Sequence, residues 1–263
     1  MSSPLDKPIA QGRTAEIFAW GEGKVLKLFR AGISHSACDY EYGIAKAVQQ
    51  SGVPAPAAFE QIVVVGRHGI VYERVEGRTM LRELSAHPER LQDMAQLMAD
   101  LHAQIHQFKA EGLPRARDRF ARMLNGAPLS DAQKAAIAQH MAALPDDDRV
   151  CHGDFHPDNI VLTPAGPRVI DWNNATAGHP LADVAWTSLV LRMGEAPPGS
   201  KAEMAALMEA RKVFHDAYLE RRLGANRDQL DAWLLPVMVA RLVDNIPEEH
   251  ERLIGMIDEA LNT

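Results

Sequence analysis

Residues 151–162 read Cys-His-Gly-Asp-Phe-His-Pro-Asp-Asn-Ile-Val-Leu, and Val-Ile-Asp-Trp follows at 169–172. An acid (Asp154), an amide five residues on (Asn159), a short apolar strand, a turn over 164–167 and a second acid (Asp171) closing a second strand form one constellation. It is the strongest constraint on the fold, because the chain must enter a hairpin and bring the second acid back to the amide. Phosphoryl transfer uses such a set. One carboxylate orients the attacking hydroxyl and takes its proton, while an amide oxygen and a further carboxylate hold Mg²⁺ against nucleotide phosphates. An ordinary loop, with Asp and Asn bonding nearby backbone, leaves Asn159, the hairpin and the second acid unexplained. A metal-dependent hydrolase centre of His152, Asp154 and His156, alternate residues facing one way, leaves Asn159 and the N-terminal features aside.

The pattern resembles the catalytic loop and metal-binding Asp of kinases, His-x-Asp-x-x-x-x-Asn followed by Asp-Phe-Gly. With Gly153 after His152 and Trp172 after Asp171, it resembles specifically the aminoglycoside phosphotransferase and choline kinase family. The resemblance implies an α+β, two-lobed, protein-kinase-like fold. Residues 1–77 would form a small β-rich nucleotide-binding lobe with one helix, and 78–263 a larger, mainly helical lobe for catalysis and substrate. It also implies Mg²⁺ on Asn159 and Asp171, ATP or GTP as co-substrate, and Asp154 acting on a hydroxyl of a small molecule. His156 stands where protein kinases place a Lys on the transferred phosphate, and it either serves similarly or packs the loop. Asp183 resembles the helix Asp that bonds the catalytic-loop backbone. Only about ten residues separate Asp171 from the next helix, leaving no room for an activation segment, so a protein acceptor is disfavoured. A catalytically silent nucleotide-binding relative stays open beside the enzyme.

Periodicity gives the rest of the layout. Residues 15–20 and 24–30 flank a Gly-Glu-Gly turn as a hairpin. Helical spacing follows over 35–50, and further strands are expected over 61–65 and 69–74 around a turn at 66–69. Beyond Gly77 helical runs appear at 91–108, 131–144, 180–193, 202–222 and 247–261. Lys27 interrupts an apolar strand, where an unpaired ammonium is costly. By resemblance it is the phosphate-binding Lys, with Glu41 as its partner. Thr14, in a loop with a single Gly, offers a hydroxyl and backbone amides to phosphate, or is part of a plain hairpin turn. Residues 72–77 resemble the hinge, where the backbone of Glu73 and Val75 would meet the base. Tyr72 either borders the purine, favouring GTP, or packs with its hydroxyl bonded.

Composition mainly excludes. A formal net charge of −7 argues against a nucleic-acid partner, which needs a basic surface. Two cysteines, Cys38 and Cys151, are too few for a disulfide framework and suit a reducing compartment. With no signal-peptide pattern and no membrane-spanning apolar run, a cytoplasmic protein without a membrane partner is expected.

Overall fold

The computed structural model describes residues 5, 7–193 and 201–262. Strands β1 (Ala10–Gln11), β2 (Ala15–Ala19), β3 (Lys24–Phe29), β4 (Ala58–Val64) and β5 (Arg67–Glu73) form an antiparallel sheet in the order β1-β2-β3-β5-β4. Successive side chains leave opposite faces of a strand. Leu26 and Leu28 therefore join Phe18, Val64 and Val71 in one apolar layer. Phe29 joins Ala15, Ala58 and Ile70 in the other, under helix α1 (His35–Gln50), which contributes Cys38 and Ala45. Lys27 shares the Phe29 face by the same pleat, so its charge is directed at α1. The helix begins at Ser34, whose hydroxyl accepts the Ala37 amide at 3.3 Å. Such a cap is worth about 1 kcal/mol.

The β4–β5 turn is tighter than the sequence suggests. Val65 (φ 51°) and Gly66 (φ 73°) are both left-handed, as a two-residue primed turn requires, so the strands run on to Val64 and from Arg67.

The larger part is helical. It comprises α2 (Met80–Ala86), α3 (Leu91–Ile105), α4 (Ala116–Gly126), α5 (Asp131–Ala143), α6 (Pro180–Met193), α7 (Lys201–Leu223), α8 (Asp231–Val243) and α9 (Pro247–Leu261). Its core includes Met80, Met98, Ile105, Ile137, Leu189 and Leu253, all fully buried. The sequence reading finds neither α2, α4 nor α8. Helix α8 buries Trp233, Leu235, Val237, Met238, Val239, Ala240 and Leu242, so it has no single apolar stripe to reveal it. It packs between α4, α6 and α9. Among the described residues no helix is long and apolar enough to cross a membrane. A small antiparallel lobe joined to a larger helical one is the α+β, two-lobed arrangement expected from the sequence.

Candidate active site

Two strand pairs hold the site. β7 (Arg149–Cys151) pairs with β10 (Thr176–Gly178), and β8 (Ile160–Thr163) with β9 (Gly166–Val169). The short β6 (Arg78–Thr79) flanks β8. Because Ile160 lies opposite Val169, Asn159 faces Ile170, whose amide donates to the Asn159 carbonyl at 3.0 Å. That register brings the ends of the two strands together, with Asn159 at one and Asp171 just past the other. Asp171 is left-handed (φ 63°), which turns the chain sharply there.

Asp183, in the first turn of α6, organises the loop between β7 and β8. Its carboxylate accepts the amides of His152 (2.6 Å) and Gly153 (2.8 Å). It also meets Nε2 of His102 at 3.0 Å and of His106 at 3.2 Å. Four donors and a helix N-terminus favour the anion. Burial opposes ionisation of Asp183, but the two histidines hold its carboxyl well below the usual range. On their far sides, His102 Nδ1 lies 2.7 Å from the Tyr218 hydroxyl and His106 Nδ1 2.8 Å from Arg222. Although these two imidazoles and Asp183 lie close enough to hold a metal, each ring nitrogen already has a hydrogen-bond partner. Burial lowers the His102 pKa to about 3, with the neighbouring His106 charge acting the same way. Both rings are therefore neutral donors to the carboxylate.

His152 is a scaffold. Its Nε2 lies 3.0 Å from the Ile170 carbonyl and its Nδ1 accepts the Asp154 amide at 3.2 Å, which fixes the Nε2–H tautomer. Gly153 (φ 75°) is obligatory by space as well as conformation. A Cβ there would overlap the Asn174 carbonyl oxygen and come to 2.8 Å from Arg119 Nη1.

Asp154 is half-buried beside His156, whose Nε2 lies 3.6 Å from its Oδ2. Burial works against ionisation of Asp154, but the His156 hydrogen bond and charge, then His152 and Arg241, hold its carboxyl below the usual range. It is an anion at neutral pH. Asn159 donates through Nδ2 to the Asp154 carbonyl at 2.9 Å, and Nδ2 lies 3.2 Å from His156 Nε2. This fixes the amide's orientation and directs its oxygen away from the loop. An amide oxygen and the half-exposed Asp171 carboxylate are the hard donors that suit Mg²⁺, so the residues fit that ion.

Lys27 crosses from the small lobe to this segment. Its Nζ lies 2.7 Å from Glu41 Oε1 and 3.0 Å from Asp171 Oδ1. Burial pulls the Lys27 pKa down, but Asp171 and Glu41 outweigh it and keep the ammonium above its ordinary value. The Tyr72 hydroxyl donates to Glu41 Oε1 at 3.2 Å, and its ring packs on the Phe29 layer. Tyr72 thus supports the ion pair.

The other sequence-named residues stand apart from this cluster. Thr14 stays on the exposed turn before β2, its carbonyl accepting the Arg30 amide at 2.8 Å. Val75 is half-buried in the connection to β6. The Glu73 amide donates to the Ala57 carbonyl at 2.8 Å and is therefore already paired. Its carboxylate accepts the Ala57 amide and Arg168, both at 3.1 Å. Arg168 also reaches the Pro54 and Ala55 carbonyls at 3.2 Å, which ties β9 to the small lobe.

Sequence reasoning misses His102, His106, Arg119 and Arg241. The signal for the histidines is present, since 98, 102 and 105 continue the buried stripe of α3. Arg119 and Arg241 lie on helices the sequence reading does not find. Arg241 is held by Glu249 in a two-pronged bond (2.7 and 2.8 Å), with Asp244 at 3.6 Å.

Comparison with protein families matches residues 7–233 to APH, the phosphotransferase enzyme family. A curated relative, acyl-CoA dehydrogenase family member 11 from Gallus gallus, is 28% identical over 176 residues. The match covers 57% of this chain and 22% of that protein, so the chain spans about a fifth of the relative's length. Among solved structures, a thermostable mutant of aminoglycoside phosphotransferase APH(4)-Ia superposes with a TM-score of 0.64 at 16% identity, covering 97% of this chain and 93% of that one. A streptomycin–ATP–APH(2")-IIa ternary complex gives 0.60 at 15% identity, covering 98% and 92%. A choline/ethanolamine kinase family protein from Mesorhizobium loti gives 0.58 at 14%, covering 99% and 86%. At these identities the structures establish the shared fold.

Proposed function

Because the chain belongs to the phosphotransferase enzyme family, we propose that it transfers the γ-phosphate of ATP, with GTP as a second donor, to a hydroxyl of a small molecule. The observation that carries this reading is the meeting of Lys27, Glu41 and Asp171 across the two lobes, beside an ionised Asp154. In this reading the small lobe, residues 1–77, binds nucleotide, and residues 78–263 bind the acceptor. Lys27, fixed by Glu41, turns from Asp171 toward the α- and β-phosphates. The Glu73 carbonyl and Val75 meet the base, and Thr14 borders the phosphates. Asn159 and Asp171 hold Mg²⁺, which neutralises phosphate charge when bound. Asp154 accepts a hydrogen bond from the acceptor hydroxyl, aims its oxygen and takes its proton as the phosphorus–oxygen bond forms. His156 steadies the Asp154 carboxylate and faces the transferred group. Positioning and charge neutralisation supply most of the rate in such a reaction. The chain acts in the cytoplasm, without nucleic acid, membrane or protein partner.

The test is ligand-induced thermal stabilisation with ATP and GTP, with and without Mg²⁺, followed by a screen of hydroxylated acceptors scored by nucleoside diphosphate release. Mg²⁺-dependent stabilisation that weakens in Asp171→Ala, together with acceptor-dependent turnover, is the expected result. Binding without turnover for any acceptor favours a silent nucleotide-binding module. Metal-dependent hydrolysis without a triphosphate requirement overturns the reading.

A further inference from the structure

Arg119 has no role in the reaction described above, yet it lies against the catalytic loop. It projects from the first turn of α4, and its Nη1 comes to 2.8 Å from the position a side chain at Gly153 would take, one residue before Asp154. Two of its N–H groups are bonded, both to Asn174: Nη1 to the backbone carbonyl at 2.8 Å and Nη2 to the side-chain oxygen at 3.2 Å. Among the described residues it has no carboxylate partner. The other cation of this wall, Arg241, is closed on itself by Glu249 at 2.7 and 2.8 Å, with Asp244 at 3.6 Å. Arg241 is thus tied directly to carboxylates, whereas the carboxylates around Arg119, Asp244 foremost, act on it only from beyond hydrogen-bond reach.

A second observation points the same way. The Arg119 guanidinium lies over the Trp186 ring, 5.4 Å from its centre, and the Trp186 indole N–H is buried without an acceptor. Buried indole N–H groups ordinarily find a partner. A guanidinium with spare donors thus lies between the Trp186 ring face and the loop that carries Asp154. Burial pulls the Arg119 pKa below its ordinary value, and the surrounding Asp244, Tyr40, Asp154 and Asp183 only partly restore it. A planar fork of N–H donors suits an anionic oxygen pair. A cationic group placed on Arg119 would instead meet a like charge.

We propose that the acceptor carries an anionic group, a carboxylate or a phosphate, that docks on Arg119 while its hydroxyl lies at Asp154. This rests on the phosphotransferase reading and names its substrate class as hydroxylated acids. The reaction is unchanged: the acceptor oxygen bonds the γ-phosphorus, the bond to the diphosphate breaks, and the hydroxyl proton goes to Asp154. Arg119 is a specificity residue that takes no part in the proton transfer.

The experiment compares matched trios of equal chain length, a hydroxycarboxylate, its diol and its amino alcohol, together with glycerol 3-phosphate against glycerol. Wild type, Arg119→Lys and Arg119→Gln are assayed for kcat and KM with saturating Mg²⁺–ATP. Wild type should prefer the acid, and the two anions separate carboxylate from phosphate as the docking group. In Arg119→Gln the ratio of kcat/KM for acid over diol should fall on the order of ten- to a hundredfold, chiefly through KM, as for loss of a charge-assisted bond. Arg119→Lys should retain part of the preference. Equal losses for acid, diol and amine would make Arg119 a loop support and overturn the proposal, as would wild-type turnover of amino alcohols or diols with acids excluded. Those two outcomes leave the phosphotransferase reading standing. Failure of Mg²⁺–ATP to stabilise the wild-type protein would remove that reading and this proposal together.

Discussion

Lys27 keeps its charge in a largely buried position because two carboxylates from different parts of the chain meet it there. Glu41 is held in turn by Tyr72, so the three residues act as one unit. Lys27→Ala and Glu41→Ala should each raise the nucleotide KM and lower kcat, and the double variant should lose less than the sum of the two. Contacting residues commonly couple by about 0.5–3 kcal/mol, and a double-mutant cycle on nucleotide Kd measures it. Strict additivity would show that the pair does not act together. Tyr72→Phe should weaken binding only modestly and leave the ATP-to-GTP ratio unchanged, because the hydroxyl faces Glu41. The sequence makes Lys27 and Glu41 conspicuous, since a charge in an apolar strand and another on an inward helix face both demand a partner. Arg119 gives no such signal. It follows Arg115, Arg117 and Asp118 in a charged stretch, and only tertiary packing distinguishes it from its solvated neighbours.

At the scale of elements, the β8–β9 hairpin sets the distance between Asn159 and Asp171, and Asp183 sets the loop that carries Asp154. Gly153 is where the loop tolerates least. Its positive φ and the Asn174 carbonyl behind it mean that Gly153→Ala must displace either the loop or the Asp171–Asn174 turn. The cost should be about 1–3 kcal/mol, read as a lowered Tm, with a larger loss in kcat than in nucleotide affinity. Wild-type Tm and kcat in this variant would contradict the described packing. Most elements are legible because they show a single period, as in the alternation of β3 and the apolar stripe of α3. Helix α8 is not, since burial on nearly every side erases the stripe. Helix α4 has a stripe, Ala116, Phe120, Met123 and Leu124, but it lies in a run of charged residues and is passed over. Arg119 and Arg241 stand on these two helices, so the proposed nucleotide half of the site is more legible than the proposed acceptor half.

Over the whole molecule, buried neutral histidines tie fold stability to pH. His102, His106 and His152 all have pKa values lowered by burial, so the unfolded chain takes up their protons first as pH falls. All three add to the loss of stability as pH falls below roughly 6.5, and for His102 the loss runs at about 1.4 kcal/mol per pH unit down to about 3. Asp183 acts in the same direction at lower pH. Its depressed pKa contributes stability above the unfolded-state value, and this is lost as pH falls toward the folded one. Urea unfolding at neutral and mildly acidic pH should therefore show a steep loss of stability, shallower by about one proton in His102→Gln. A flat profile would mean that these rings are charged in the fold. Catalysis should be less sensitive across the same range, because the depressed pKa of Asp154 keeps the base ionised. The most direct measurement is phosphate transfer by Asp154→Asn, with nucleotide Kd determined alongside. If Asp154 is the base, kcat should fall about 10²–10⁴-fold, the usual contribution of a positioned base, with Mg²⁺–nucleotide Kd nearly unchanged. An Asp154→Asn protein that keeps wild-type kcat would contradict that role.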